Sequence, residues 1–400
     1  MPDVCLYFQV HQPHRLLAGK PKKGGSAPPY EDDKLNEEIL NRVADKCYLP
    51  ANEMFRKRIE ENHGLFRMAL SISGTVIEQF RKFRPDVLES FQELVSTGGV
   101  ELLAETYYHS LAFVYSDKEF QRQSDMHLDL MEECFSVRPR VFRNSELIYN
   151  NAIAAKVETQ GFEGVIAEGT PAFTEGISPN YIYHAPDTAR IKTLMRNHTL
   201  SNDLAFRFSD PSWSGFPLTW EKFTEWVGQS PGDLVNLFMD YESIGEHQKK
   251  EQGIYEFWKK VPEILIESGS QWVTPAEAVS IYSASKEYDC PKVTSWADAE
   301  RDLSAWTGNA MQKEALAKIH GIEEAVMASG DEKLIGTWGS LQSSDHLYWM
   351  STKGGSDGQV KNYFSPYGSA EEAYDVFMRV LGDLEKRAGS HSQLAVGGSA

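Results

Sequence analysis

Short apolar runs alternate with helix-length amphipathic segments along this 400-residue chain, and that alternation restricts the fold more than any other feature. The first run, Val4-Cys5-Leu6-Tyr7-Phe8-Gln9-Val10, is β-branched and aromatic, and it stops at His11-Gln12-Pro13-His14. Further runs occupy 66–72, 100–104, 141–144, 164–167, 191–195 and 234–239, with a shorter one at Trp272-Val273. Their length and β-rich content predict strands. Between them, Asn150-Asn151 can cap a helix reaching Thr159-Gln160 and closed by Gly161. Thr274-Pro275-Ala276-Glu277 has the form of an N-cap, a proline at the first helical position and a capping-box glutamate. Strands that are apolar throughout, each followed by a helix, predict a parallel sheet covered on both faces. Seven or eight such units over residues 1–290 favour a barrel over an open sheet. No Gly-x-Gly-x-x-Gly follows the first strand, which weakens a dinucleotide-binding reading.

The barrel region carries an insertion around 18–35, and its stretch from Lys20 to Tyr30 has loop composition and the length of a lid. After Pro291 the periodicity turns helical. Helices are predicted to start at Ser295-Trp296-Ala297-Asp298, to span Met311–Met327 and to span Ala370–Arg387. Residues 291–388 therefore read as a C-terminal α-helical domain, packed on the barrel or separate, and 389–400 as a flexible tail. A net charge of -18 opposes tracking of a phosphate backbone, so nucleic acid and anionic membranes are not expected partners. No stretch approaches the roughly 20 apolar residues of a membrane span, and no basic and apolar leader opens the chain; cytoplasmic residence is the expectation. Cys5, Cys47, Cys134 and Cys290 are scattered without metal or disulfide spacing.

In a parallel β/α barrel the loops after the strands converge on one face, so polar residues just past each apolar run are the candidate functional groups. They are His11 and Gln12; Glu101 with Glu105, Tyr107 and His109 beyond; Arg143-Asn144-Ser145-Glu146; Glu168; and Asp240-Tyr241-Glu242. A carboxylate at the end of a buried strand is costly unless it has a partner or a task. Two such groups facing each other across a pocket would permit glycosidic cleavage, one as nucleophile and one as acid/base. Trp213, in the segment Asp210-Pro211-Ser212-Trp213-Ser214-Gly215, is a candidate stacking platform for a sugar ring, whereas Trp220 and Trp226 read as one helix's core face.

Five segments in order resemble the conserved regions of glycoside hydrolase family 57. They are His11-Gln12-Pro13; Gly99-Val100-Glu101-Leu102 continuing to His109; Phe142-Arg143-Asn144-Ser145-Glu146-Leu147; Met239-Asp240-Tyr241-Glu242-Ser243-Ile244-Gly245; and Ser344-Asp345-His346-Leu347-Tyr348-Trp349. The stretch from Ser295 to Trp306 is similar to the α-amylase branch of that family. The resemblance implies an incomplete seven-stranded TIM-like barrel, (β/α)7, followed by helices, acting on α-1,4-glucans with retention, without a cofactor or an essential metal. By motif, Glu146 matches the nucleophile and Asp240 the general acid/base. His11, Glu101, His109 and Asp345 match positions that line sugar subsites. Gln12, Arg143, Trp213, His346 and Trp349 complete the expected substrate-binding set. Two departures bear on specificity: Asn144-Ser145 stands where many members have Trp near the nucleophile, and Tyr241-Glu242 follows Asp240 where transferase members often have a second aspartate.

Retention requires the two carboxyl groups about 5 to 5.5 Å apart, Glu146 ionised and Asp240 protonated. Arg143 is the expected donor lowering Glu146, and an apolar setting plus the field of Glu146 should raise Asp240. An α-amylase is the first reading, with a 4-α-glucanotransferase or a glycogen branching enzyme as the alternative on the same pair. A zinc-dependent deacetylase or mannosidase built on His11 and His14 would want a carboxylate where Pro13 stands. A non-catalytic glucan-binding protein on the same scaffold is the remaining class.

Overall fold

The computed structural model describes residues 1–19, 30–171 and 176–397, with 390–397 by backbone alone. The lid expected over Lys20–Tyr30 therefore falls, Tyr30 apart, outside the described residues.

Seven strands run parallel around a barrel: β1 (Asp3–Val10), β2 (Met68–Ile72), β3 (Val100–Leu103), β4 (Val141–Phe142), β5 (Gly164–Glu168), β7 (Lys192–Arg196) and β8 (Leu234–Asp240). Hydrogen bonding orders them β3-β2-β1-β8 and β4-β5-β7, and the β3–β4 seam is closed where Ala104 N donates to Val141 O and Arg143 N to Ala104 O. Between β7 and β8 the ladder gives way to a bond from Asn197 N to Asn236 O and one from the Arg196 side chain to Phe238 O. The outer edge of β7 is taken by β6 (Ile182–His184), which pairs with it antiparallel and carries β9 (Lys286–Glu287) beyond. The barrel is thus incomplete at this seam because an extra strand occupies the edge that closure would need.

The runs are apolar throughout because both faces of each strand are buried. In β1, Val4, Leu6, Phe8 and Val10 pack outward into one core with the helices, while Cys5 and Tyr7 join Ala69, Leu103, Val141, Ile166, Leu194 and Phe238 inside the barrel. A strand's period of two makes this division automatic. The helix Asn151–Thr159 is capped by Asn150 through Ile153 N, and Pro275–Ile281 begins with the full Thr274–Glu277 capping box. All four cysteines are buried and unpaired.

The C-terminal helices share a core with the outer face of the barrel: Trp306, Leu334, Trp338, Phe377 and Val380 belong to the same cluster as Ala104, Phe142, Ile153 and Val165. Three expectations change here. No helix starts at Ser295; the segment is a loop until Ser304–Thr307, with Asp298 and Arg301 at positive φ. Its backbone is drawn away from helix because Trp296 N donates to Glu146 O and Ser295 N to Arg301 O. Met311–Met327 is two helices, Ala310–Gly321 and Glu323–Ala328, broken after Gly321. The last helix, read as ending at Arg387, continues to Gly397, since no proline interrupts a register that each added residue extends at little cost. Among the described residues, no helix is long and apolar enough to cross a membrane.

Candidate active site

Strand parity builds the site. The inward-facing positions of the strands, followed to their carboxyl ends, give Gln9 and then His11 on β1, Ser71 and Ser73 on β2, Leu103 and Glu105 on β3, Arg143 after β4, Glu168 on β5, Arg196 on β7 and Asp240 on β8. The registers Gln9↔Ser71, Gln9↔Asp240 and Ser71↔Leu103 set Gln9, Ser71, Leu103 and Asp240 at one height, with His11, Ser73 and Glu105 two residues further toward the carboxyl end. Apart from Glu101 and Asn236 the lower interior is apolar, whereas the upper layer is polar, as expected where barrel loops converge.

Glu105 is fully buried and accepts from Gln9 Nε2 at 3.1 Å, Ser71 Oγ at 2.8 Å and His109 Nδ1 at 2.8 Å, with an Arg143 guanidinium nitrogen at 3.8 Å. Burial would raise its titration, but His109 and Arg143 overcome this and hold the carboxyl well below its ordinary range. The other face of the His109 ring meets Glu146, Nε2 to Oε1 at 3.3 Å. Burial alone would lower His109; its two carboxylate partners raise it instead to about 9, so it carries a charge at neutral pH. The result is a carboxylate–imidazolium–carboxylate chain running from the barrel interior to Glu146.

Glu146 sits at φ 58°, ψ 22°, and Leu147 follows at φ 50°. Left-handed backbone at two successive non-glycine residues is strained, of order 1–3 kcal/mol each, and is held by its surroundings. Those surroundings are the bonds on the Glu146 side chain: Ser344 Oγ donates to Oε1 at 2.8 Å and Trp296 Nε1 to Oε2 at 2.8 Å. Against the upward pull of burial, His109 and then Trp296 keep its carboxyl below the ordinary value. The donor expected for this task, Arg143, serves differently. It is fully buried, among the described residues its guanidinium nitrogens make no hydrogen bond, and Phe238 and Trp296 lie against it with ring centres at 5.2 and 5.6 Å. It acts as an aromatic-sheathed positive charge among Glu105, Glu146 and Asp240.

Asp240 closes β8 on the far side. Burial first, and then the Glu146 charge, push it up to about 6. Two residues on, Glu242 is buried against Tyr48, whose hydroxyl donates to it, and Gln12 Nε2 lies at 3.3 Å; burial and the Asp240 charge raise Glu242 to about 8. His11 stacks on His109 at 4.1 Å, with Nδ1 at 2.7 Å from Ser73 Oγ and Nε2 at 2.9 Å from Asp345 Oδ2. His11 is lowered by burial and the neighbouring His109, and Asp345 is lowered strongly, burial being outweighed by His11. Asp345 and Ser344 open the helix Ser344–Trp349, so the helical region supplies side chains to the barrel's upper layer.

The structure thus brings His11, Gln12, His109, Arg143, Glu146, Asp240 and Asp345 together. Four expected residues lie elsewhere. Glu101 faces inward at the opposite end of the barrel, where its Oε2 accepts from Ala276 N at 2.8 Å. Trp213 packs edge-on against Trp226 beside the outer core. His346 and Trp349 meet each other edge to face at 5.3 Å inside the helical core, facing Phe377 and Tyr367 respectively. Within the helix Ser344–Trp349, Ser344 and Asp345 reach Glu146 and His11, while His346 and Trp349 turn to the helical core. His14 is engaged by Glu78 at 2.8 Å and Glu31 at 3.4 Å, separately from the His11 pair.

Trp296 and Ser344 stand in sequence only inside longer motif segments, and Glu105 only among the polar residues past the third strand, outside the expected substrate-binding set. Glu105 was legible as the inward position two beyond Leu103; Trp296 was hidden in a segment whose composition reads as helix. Chemically, an ionised carboxyl held by three donors and a second carboxyl poised to carry a proton provide the two partners of a double displacement at an anomeric carbon.

A model of the family described as "Glycosyl hydrolase family 57" matches residues 5–291. A curated protein from Methanocaldococcus jannaschii named "Putative alpha-amylase" is 40% identical over 395 residues, covering 96% of this chain and 84% of that protein. Among solved structures, the branching enzyme of this family from Pyrococcus horikoshii superposes with a TM-score of 0.71 at 16% identity, covering 97% of this chain and 94% of that one. The 4-α-glucanotransferase from Thermococcus litoralis superposes with a TM-score of 0.65 at 12% identity; the match covers 87% of this chain and 58% of that larger enzyme. At these identities the two structures show a shared fold.

Proposed function

The chain belongs to glycosyl hydrolase family 57, and from that membership we propose that it is a retaining, α-amylase-like enzyme cleaving α-1,4-glucans, with Glu146 as nucleophile and Asp240 as general acid/base. The observation that carries this reading is the opposed titration of the two carboxyls: Glu146 is held low by His109 and Trp296, while Asp240 is lifted to about 6 by burial and by Glu146.

A Glu146 carboxylate oxygen attacks the anomeric carbon as Asp240 gives its proton to the departing glycosidic oxygen. The C–O bond to the leaving sugar breaks and a glycosyl ester forms on Glu146. Asp240, now a carboxylate, takes a proton from an incoming water, whose oxygen displaces Glu146 and restores both groups. His109, Trp296 and Ser344 hold Glu146 ionised and fix its oxygens. Arg143 supplies positive charge to the region where the negative charge passes between Glu146 and Asp240, without hydrogen bonding to either. Barrel and helices form one catalytic unit in this reading, because Asp345 orients His11 and Ser344 holds Glu146.

If a second glucan displaces Glu146 instead of water, the same pair performs transfer, and the structural likeness to a glucanotransferase and a branching enzyme keeps that outcome in view. Chromatography of products from maltooligosaccharides and from amylose separates these cases. Shortened chains with new reducing ends are expected; redistribution of chain length would mean transfer, and new 1,6 branches would mean branching. Glu146→Gln should abolish turnover while retaining glucan binding, and undiminished activity in that variant rejects the assigned nucleophile.

A further inference from the structure

The helix Gly355–Phe364 departs from what an amphipathic surface helix does. Gly358 is its buried residue, while its apolar side chains point out: Val360 is 44 %, Tyr363 61 % and Phe364 43 % exposed. Positions 360, 363 and 364 share one helix face. A ten-residue helix draws its stability mostly from burying such a face, so leaving it in water marks a binding surface.

Its place in the fold says what would bind. The helix follows directly on Ser344–Trp349, which carries Ser344 and Asp345. Near its start, Asp357 Oδ2 accepts from Ala299 N at 3.4 Å, in the loop whose Trp296 holds Glu146. At its end, Tyr363 Oη lies 3.4 Å from His247 Nδ1, and His247 packs edge-on against Tyr363 and Phe364 with ring centres at 5.6 and 5.8 Å. His247 N donates to the carbonyl of Glu242, two residues past Asp240. The helix therefore spans the rim from the loop that fixes Glu146 to the loop that follows Asp240. A hexose offers apolar C–H faces ringed by hydroxyls, and Tyr363, Phe364 and His247 offer apolar ring faces with a hydroxyl and a ring nitrogen at the edge.

We propose that Tyr363, Phe364 and His247 form a remote subsite that binds a glucosyl unit of the same α-glucan chain beyond the bond being cut. The proposal rests on the α-glucan reading above and adds to it a preference for longer chains.

The test uses the full-length protein carrying Tyr363→Ala, Phe364→Ala and both together. The ratio of kcat/KM for maltooctaose to that for maltotriose should fall about ten-fold or more in the double variant, the size of losing one well-placed aromatic contact. Binding of maltooctaose, measured calorimetrically with Glu146→Gln in the background, should weaken by the same factor independently of turnover. An unchanged ratio together with unchanged maltooctaose binding overturns the subsite. So does a dimer in the parent protein, seen by sedimentation, that the double variant dissolves, because a second copy would then be the occupant. A parent protein that turns over no α-glucan defeats the functional reading, and the binding comparison still decides the subsite. Both side chains are solvent-exposed, so the variants should unfold at the parent's temperature.

Discussion

Charge on single side chains sets the pH behaviour of this site. Turnover needs Glu146 ionised and Asp240 protonated, so the rate should rise through the titration of Glu146, which lies below the ordinary carboxyl value, and fall as pH passes about 6, where Asp240 loses its proton. A profile of kcat/KM against pH on a maltooligosaccharide checks both limbs, and a basic limb lying well above 8 would point to a different acid. Glu105 controls the acidic limb from a distance. Its carboxylate keeps His109 protonated, and protonated His109 in turn holds Glu146 down. Glu105→Gln preserves shape and an acceptor for Nδ1 but removes the charge. His109 should then titrate lower, Glu146 higher, and the acidic limb should move up by about one pH unit, which cuts the rate about ten-fold at pH values below that limb and spares the plateau above it. A purely structural role for Glu105 would lower activity at all pH values and leave that limb in place. This arrangement was half legible in sequence. The carboxylates at strand ends stood out because burial of an apolar run makes the next charged residue conspicuous, yet which of Glu101 and Glu105 faces the site depends on the height of β3 in the barrel, and that is set by pairing with β2.

Elements explain where pattern reading succeeds and fails. The seven barrel strands and the capped helices were recognisable because each carries its own signal, burial on both faces for the strands and side-chain caps for the helices. Strands β6 and β9 are three and two residues long and lie on an outer edge, too short to leave a pattern. The loop from Ser295 to Leu303 has helix-like composition, and contacts with Glu146, 150 residues earlier in sequence, override it. The amino end of β3 gives an element-level prediction. Glu101 is pushed to about 7, chiefly by burial, while accepting from the first turn of the helix Pro275–Ile281. A carboxyl raised on folding favours the native state at low pH, and that contribution is lost as pH climbs through about 7. Glu101→Gln should therefore gain stability relative to the parent on going from pH 5 to pH 8, read as the shift in urea midpoint, with turnover of maltooligosaccharides retained. A collapse of kcat/KM with intact folding would instead return Glu101 to the substrate site.

At the scale of the whole molecule, the question is whether barrel and helices are two domains or one cooperative body. Composition changes at Pro291 and so suggests a boundary, but one apolar cluster runs from Ala104, Phe142 and Val165 on the barrel through Trp306 and Trp338 to Phe377 and Leu381 in the last helix. The site crosses the same line twice, through Asp345 to His11 and through Ser344 to Glu146. Removing either part would leave the other with an exposed apolar face and a buried polar layer missing its partners, which disfavours independent folding. Heating should then give a single transition, with calorimetric and van't Hoff enthalpies in agreement and with activity lost on the same curve. Phe377→Ala, buried in the shared cluster and in ring contact with His346, should cost about 3–5 kcal/mol and lower that one transition as a whole. If the helical region were a separate domain, the variant would instead split the curve, with an early helical melt followed by a barrel transition at the parent's temperature.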